Sequence, residues 1–559
     1  MDYPKLVEIY QELEKTTKKL EKTKIIAEFL EKVPKDDLKN VVHLLQGKVF
    51  PDYDERKIGM SSRLILKVIS NSSGHTVNEV EKVWKEKGDL GKVTQELMSK
   101  KKQFTLASHK LTVKKVIENI RKLATIEGEG SVDKKIQLIS ELINSAKPLE
   151  ARFIVSTILE ELRVGVASGI VRDALAKLFN IDAEKIEKAY NLTTDYGEVA
   201  ELLKEHGLKS LEKISLKPGI PIKSMLSVIS ENIEEAFEAL GKPAQFEFKY
   251  DGFRVQIHKN KDIKIFTRNL EDVSKQFPDI VEYVKSNVKA KSYILDGEAV
   301  AYDKKTKRYL PFQTISQRIK RKYDIEKTAK DFPIELNLFD ALYVNGKNLI
   351  NEKLLKRREL LEKIVKQSTG KIILTKKLVT DNIKEARKFF EEALKNGNEG
   401  LMIKNINSNY VSGRYVGGWM KLKNILEPLD LVIVKAYHGE GKRAKWITSY
   451  AIACKSDNKL LEVGKVSTGV KEKAAGLTYK EMTKMLKPLI IKEHGKEVIV
   501  KPKIIIEVGY EEIQKSPSYS SGFALRFPRV LRYRGNEKTL AEINTIKDVE
   551  KIYKSQRAK

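Results

Sequence analysis

From Met1 to about Leu211 apolar positions recur at spacings of three and four, as in LVEIYQELEKTTKKLEKTKIIAEFLEKV and ARFIVSTILEELRVGVASGIVRDALAKLF. That spacing predicts a series of amphipathic helices. Lys217-Pro218-Gly219-Ile220-Pro221 interrupts it as a Pro/Gly connector. The period then shortens to that of strands, in EFKYDGFRVQIH, IKIFTRN, YILDGEAVAYD, IELNLFDALYV and EGLMIKN, with helical stretches LLKRRELLEKIV and IKEARKFFEEAL between them. An α+β domain with antiparallel sheet, running to about Asn424, is predicted. After Glu427-Pro428 the segments DLVIVKAYHG, WITSYAIACKS, LLEVGKVSTG and KPKIIIEVGYEEI are short strands bounded by Gly, Asp and Ser, the pattern of a small β-barrel. The residues from Tyr553 read as a frayed basic tail. A chain of 559 residues is too long for one core. The predicted layout is multidomain: an all-α region over 1–215, an α+β domain over 216–424 and a β-barrel over 425–559.

Charge narrows the partners. Lys plus Arg number 106 against 77 Asp plus Glu, a formal charge of +29, which implies a polyanion, foremost nucleic acid. An oligonucleotide-binding barrel (OB-fold) at the C-terminus fits that charge. A membrane surface is the rival, but no apolar run approaches the length of a span and the N-terminus, MDYPKLVEIYQELEK, is not a signal peptide. A soluble, intracellular protein is expected. Cys454 is the only cysteine, which excludes intrachain disulfides and cysteine zinc fingers. Basic patches such as Lys100-Lys101-Lys102-Gln103-Phe104 mark the helical region. The glycines in Arg163-Val164-Gly165-Val166-Ala167-Ser168-Gly169 suit either an interhelical turn or a backbone grip on phosphates.

Candidate chemistry concentrates in Glu247-Phe248-Lys249-Tyr250-Asp251-Gly252-Phe253-Arg254. It reads as a strand, an Asp-Gly turn and a second strand. Lys249 then lies at a strand end, Glu247 shares its face and Arg254 follows the turn, so the three can converge on one pocket. A surface hairpin is the plain alternative.

Further short motifs follow in order: TRN with Arg268, LDGE with Glu298, LFD with Phe339, EGLMIK with Glu399, WMKLK with Lys421 and Lys423, and SGFALRFPRV with Arg529. Together with KYDGFR at 249–254, they make the whole chain resemble the covalent nucleotidyltransferase superfamily, specifically ATP-dependent DNA ligases of archaeal and eukaryotic type. The resemblance implies that Lys249 attacks the α-phosphorus of ATP. AMP then passes to a DNA 5′-phosphate and a 3′-hydroxyl displaces it, sealing nicked double-stranded DNA. A lysine amine has a reference pKa near 10.4, so only about one in a few thousand is free base at pH 7. Lys421 and Lys423, two apart on one strand, supply like charge that disfavours the Lys249 ammonium, and would hold the α-phosphate.

Carboxylates facing a triphosphate make sense as Mg2+ ligands or ribose acceptors. The resemblance assigns Glu298 to the nucleotide site, with Glu298 and Glu399 as metal ligands. Phe339 is the expected stacking face for adenine, though a Phe on a strand is otherwise core. Glu247 can accept from the exocyclic amine of adenine, favouring ATP over GTP. The resemblance further implies Arg254, Arg268 and Arg529 as nucleotide contacts.

Two departures stand out. The basic residue commonly four before the tryptophan of WMKLK is here Tyr415, leaving Arg414 as a shifted candidate. The C-terminal motif reads Arg534-Gly535-Asn536-Glu537-Lys538, with one residue inserted and Glu for Asp.

RNA ligase and capping-type nucleotidyltransferase are the enzymatic alternatives, and a basic DNA-binding clamp the non-enzymatic one. NAD-dependent ligases normally carry a cysteine zinc finger, which one Cys cannot build. The resemblance further implies a monomer in the cytoplasm of a prokaryote, an archaeon by its type, meeting a sliding clamp or other replication and repair proteins.

Overall fold

The structure is a computed structural model. It describes residues 1–101, 110–310, 312–319, 323–413, 418–424, 426–439, 443, 445–457, 459–472, 477–535 and 537–557. Arg414, Asn536, and Lys102, Gln103 and Phe104 of the basic patch lie outside them. Two compact units emerge: 1–228 with 236–381 and 403–420, and 229–235 with 382–402 and 421–559.

The first unit opens with helices from Tyr3–Lys15 to Lys209–Glu212, which precede the first strand. The apolar stripe is the reason they form and pack. In Val113–Leu123 the buried residues are Val113, Val116, Ile117, Ile120 and Leu123, and Thr112 caps the start by accepting from the Lys115 amide. One buried polar pair is His43 with Asp195: His43 Nε2 lies 2.7 Å from Asp195 Oδ1, and Asp195 caps the helix Tyr196–His206. The glycine turn after Arg163 is folded onto Lys22, whose ammonium donates to the Val164 carbonyl.

The strands that follow are β1 (Val228–Ile229), β2 (Ala244–Lys249), β3 (Phe253–Lys259), β4 (Ile263–Thr267), β5 (Tyr293–Asp303), β6 (Arg308–Tyr309), β7 (Ile334–Val344), β8 (Lys347–Asn348), β9 (Ile372–Leu374), β10 (Lys377–Thr380), β11 (Gly400–Asn405) and β12 (Trp419–Lys423). They make two sheets, antiparallel as predicted in the pairs β2–β10, β3–β4, β3–β5 and β5–β7 but not in one other. One has the order β1-β12-β11-β2-β10; the other runs β4-β3-β5-β7-β8, with β6 on β5 and β9 on β7. The β7–β9 pair is parallel, because an intervening helix, Leu354–Ile364, carries the chain back over the sheet. Phe253, Val255, Ile257, Leu295, Leu336 and Leu338 lie in the core beneath this second sheet.

In the second unit come β13 (Leu429–His438), β14 (Ile447–Ser456), β15 (Lys459–Val466), β16 (Ile490–His494), β17 (Glu497–Val500), β18 (Ile505–Gly509), β19 (Glu512–Lys515), β20 (Phe523–Arg526) and β21 (Arg529–Tyr533). β13 pairs β18 along its first half and β17 along its second, and its ladder to β14 slips between Ile433 and Lys435. Such a bulge bends a strand, which lets one strand serve two neighbours. The supposed tail is instead a helix, Ile546–Arg557, anchored by buried Val549 and Tyr553. Two apolar side chains four apart form a stripe too short to read in a stretch so rich in charge.

Candidate active site

β2 ends at Lys249 and β3 begins at Phe253, but the two strands are not a hairpin. β2 pairs with β10, whereas β3 lies between β4 and β5. The chain crosses from one sheet to the other in three residues, and crowding dictates the glycine: a Cβ on Gly252 would lie 2.3 Å from the Ala299 carbonyl oxygen and 3.0 Å from Glu298 Cγ. Its φ is not positive, so the expected Asp-Gly hairpin turn is replaced by a close strand crossing. The crossing brings half-buried Lys249 at the end of one sheet close in sequence to Arg254, which faces Glu298 across the β3–β5 register.

Arg254 is heavily engaged. Its Nε donates to Asp296 Oδ1 at 3.0 Å, one terminal nitrogen to Asp296 Oδ2 at 2.5 Å and to the Tyr410 hydroxyl at 3.1 Å, and the other to the Met225 carbonyl. The Asp296 carboxylate, completely buried, raises the arginine's pKa above its ordinary value against the desolvation that lowers it. The guanidinium lies 5.3 Å from the Phe339 ring centre and 5.4 Å from that of Trp419.

Glu247 is buried and shares this neighbourhood. One carboxylate oxygen accepts from Gln245 at 2.6 Å and the other from the Lys404 ammonium at 2.6 Å. Burial pushes the Lys404 pKa below the usual lysine value against the pull of Glu247. The Lys404 ammonium lies 4.6 Å from the Phe339 ring centre and 4.3 Å from that of Trp419. Phe339, only 9% exposed, is thus flanked by two cations and an indole edge. Arg268 is exposed in the turn after β4.

In the second unit, Lys421 and Lys423 share the half-buried face of β12, with Leu422 buried between them. Lys423 is paired with Glu511 at 2.8 Å and Glu399 at 3.3 Å. Desolvation works against its charge, but the two carboxylates outweigh it and raise the pKa. Gly400, beside Glu399, has φ +147, and a Cβ there would lie 2.1 Å from the Leu422 carbonyl oxygen. Arg529 is exposed at the start of β21, opposite Gly509. Nearby Phe527 is 67% exposed with φ 50, an unusual backbone for a bulky residue. The altered C-terminal motif is folded into ion pairs: Arg534 with Glu537 at 2.9 Å, and Lys538 with Asp430 at 2.5 Å.

The motifs therefore gather Lys249, Glu247, Arg254, Glu298 and Phe339 in the first unit, and Glu399, Lys421, Lys423 and Arg529 in the second. Asp296, Lys404 and Tyr410 went unremarked in the sequence. The available signal was a charged residue directly after a buried apolar one on a strand, as with Asp296 after Leu295 and Lys404 after Ile403.

The three regions match known families: "DNA ligase N terminus" over residues 2–176, "ATP dependent DNA ligase domain" over 224–423, and "ATP dependent DNA ligase C terminal region" over 443–537. The chain belongs to the ATP-dependent DNA ligase family, enzymes that form phosphodiester bonds. It is 46% identical over 563 residues to the DNA ligase of Nanoarchaeum equitans, covering 100% of this chain and 99% of that one. The DNA ligase of Archaeoglobus fulgidus is 43% identical over 560 residues, with 100% and 99% covered. A solved structure titled "Pmar-Lig_PreS3" shares the fold with a TM-score of 0.54, at 18% identity over 95% of this chain and 99% of that one. The architecture is accordingly a helical N-terminal region, a central adenylation domain and a sheet-rich C-terminal domain. Its activity is the sealing of nicks in DNA through a lysyl-AMP intermediate, the reading that full-length DNA ligase relatives favour over capping, RNA joining or a passive clamp.

Proposed function

We propose that Lys249 is the nucleophile of this ligase. Its amine attacks the α-phosphorus of ATP, the bond to pyrophosphate breaks, and a phosphoramidate to AMP forms as the amine loses its proton. A 5′-phosphate oxygen at the nick then attacks that phosphorus and frees the lysine. Finally the 3′-hydroxyl attacks the 5′-phosphate and AMP leaves. The observation that carries this assignment is the position of Lys249 at the last residue of β2, where the chain leaves one sheet for the other with no room for a Cβ at Gly252. A strand end fixed by its sheet holds an attacking amine to one direction.

Phe339 offers its ring to adenine. Glu247 has accepted one bond on each oxygen, which leaves lone pairs for the adenine amine. Arg254 and Arg268 belong to the nucleotide pocket, as does Arg414 from the segment after Gly413. Lys421 and Lys423 meet the α-phosphate, Lys423 exchanging a carboxylate for it. Arg529, exposed on β21, meets the departing pyrophosphate.

Mg2+ typically takes one or two protein carboxylates plus substrate phosphates. Among the described residues no three His, Cys, Asp or Glu side chains form a metal cage, and half-buried Glu298 suits a magnesium ion held mainly by the triphosphate. Glu399, paired with Lys423, suits it less well. Bound there, the ion would neutralise phosphate charge.

The helical region over 1–215 grips DNA, the domain over 216–424 carries adenylation, and the region over 425–559 acts as an OB-fold against the nick; the charge of +29 supports DNA as partner. We further place the enzyme inside the cell as a monomer that meets a sliding clamp. No helix among the described residues is long and apolar enough to cross a membrane.

The test is incubation with α-labelled ATP and magnesium. Wild type is expected to become covalently labelled and Lys249→Ala to take up no label, while the variant still seals a nick adenylated beforehand. Retained labelling would falsify the assignment of Lys249.

A further inference from the structure

Three buried hydrogen-bonding groups outside the attacking machinery converge on the connector where it continues through Ile222 to Met225. The Tyr410 hydroxyl accepts from the Met225 amide at 3.0 Å and from Arg254 at 3.1 Å, and donates to Asp296 at 2.8 Å. Met225 in turn gives its carbonyl to Arg254, so one connector residue and one phenol hold the arginine between them. Upstream, Gln256 clamps Ile222 by both its amide and its carbonyl, at 3.1 and 2.8 Å. On the other side stands Asn191, in the helix Ala183–Thr193. Its carbonyl accepts from the Lys223 amide at 2.9 Å, and its side chain donates to the Ser412 carbonyl at 3.0 Å, two residues beyond Tyr410. Gly413 leaves room for this contact, since a Cβ there would lie 2.2 Å from Asn191 Nδ2.

We propose that Tyr410 is a positioning residue for ATP, setting Arg254 beside Phe339, and that Asn191 lets the helical region bear on that setting. The helical region then does more than hold DNA: it braces the pocket in which self-adenylation occurs. This rests on the reading of Arg254 and Phe339 as part of the nucleotide pocket. A hydroxyl that satisfies three partners at once fixes their mutual geometry, and Phe in its place keeps the ring while releasing all three. Arg254 would then retain its salt bridge to Asp296 but lose its fixed angle to the Phe339 ring.

The experiment is self-adenylation of the full chain with α-labelled ATP over a range of concentrations, for wild type, Tyr410→Phe, Asn191→Ala and the double variant. We expect the ATP concentration for half-maximal rate to rise about tenfold in Tyr410→Phe and about threefold in Asn191→Ala, with maximal rates within twofold of wild type. The double variant should lie close to Tyr410→Phe alone, because coupled residues are not additive. A purely structural role would lower the maximal rate with the folded fraction and leave the ATP dependence where it was, which overturns the proposal; so would strict additivity. Should Tyr410→Phe not fold, Asn191→Ala alone decides, an unchanged ATP dependence overturning the coupling. If instead wild type took up no label at all, the nucleotide-site reading itself would fall.

Discussion

His258 shows how a single side chain sets a pH limit. It is buried on β3, its Nδ1 accepts from the Gly219 amide at 3.1 Å, and burial, with Lys264 as a lesser cause, pushes its pKa from 6.5 to about 3. The folded state thus binds a proton less readily than the unfolded one. The stability it contributes is full above about pH 6.5 and is lost as pH falls from there toward 3, with a slope of up to ~1.4 kcal/mol per pH unit. His258→Gln retains an acceptor without a titrating ring. Its urea midpoint should fall at pH 7.5, yet its stability should change less than that of wild type between pH 6.5 and 4. Parallel curves would mean that other groups govern the acid limb. At this scale the sequence offers candidates where residues lie in contiguous motifs, as for Lys249 or Glu298. It was silent where a side chain takes its meaning from a distant partner. Asn191 and Ser412 stand 221 positions apart, and no local pattern announces their contact.

At the scale of elements, the helix Ile546–Arg557 packs buried Val549 and Tyr553 into the core of the C-terminal region, and Gln556 accepts from the Ile513 amide at 3.1 Å. Ending the chain after Thr545 should remove about 3–6 kcal/mol from that region's stability, taking ~1.5–3 kcal/mol for each of the two buried side chains. Differential scanning calorimetry should show its transition lowered and that of the helical region unmoved. An unshifted transition would mean that the helix is a dispensable appendage. Strands were mostly legible because apolar alternation is local; the β2–β3 relation was not. An Asp-Gly pair between two strands spells a hairpin in most sequences, and only the close approach of Ala299 shows why this glycine serves a crossing instead.

For the whole molecule, motif order pointed to a DNA ligase, and the relatives bear that out. Removing residues 1–215 should leave a protein that still labels itself at saturating ATP, needs more ATP to do so, and seals nicks poorly. The slope of log affinity against log salt should also flatten, since fewer phosphates are neutralised. A fragment that bound nicked DNA with the wild-type slope would show that the helical region is not the main grip. The division into helical, mixed α and β, and sheet-rich parts was readable from the changing period, whereas the way the first two are fastened was not.

That fastening carries a practical corollary. The connector is stitched to β3 by Gln256 and His258 and to the helical region by Asn191 and Thr194, all through bonds that lie beyond Leu216 or before Asp195. The covalent link across the exposed stretch Glu212-Lys213 is therefore not what joins the two parts. A protease that cuts there should yield two pieces that co-elute in native buffer and separate only in denaturant, so the enzyme lends itself to reassembly from two separately expressed halves.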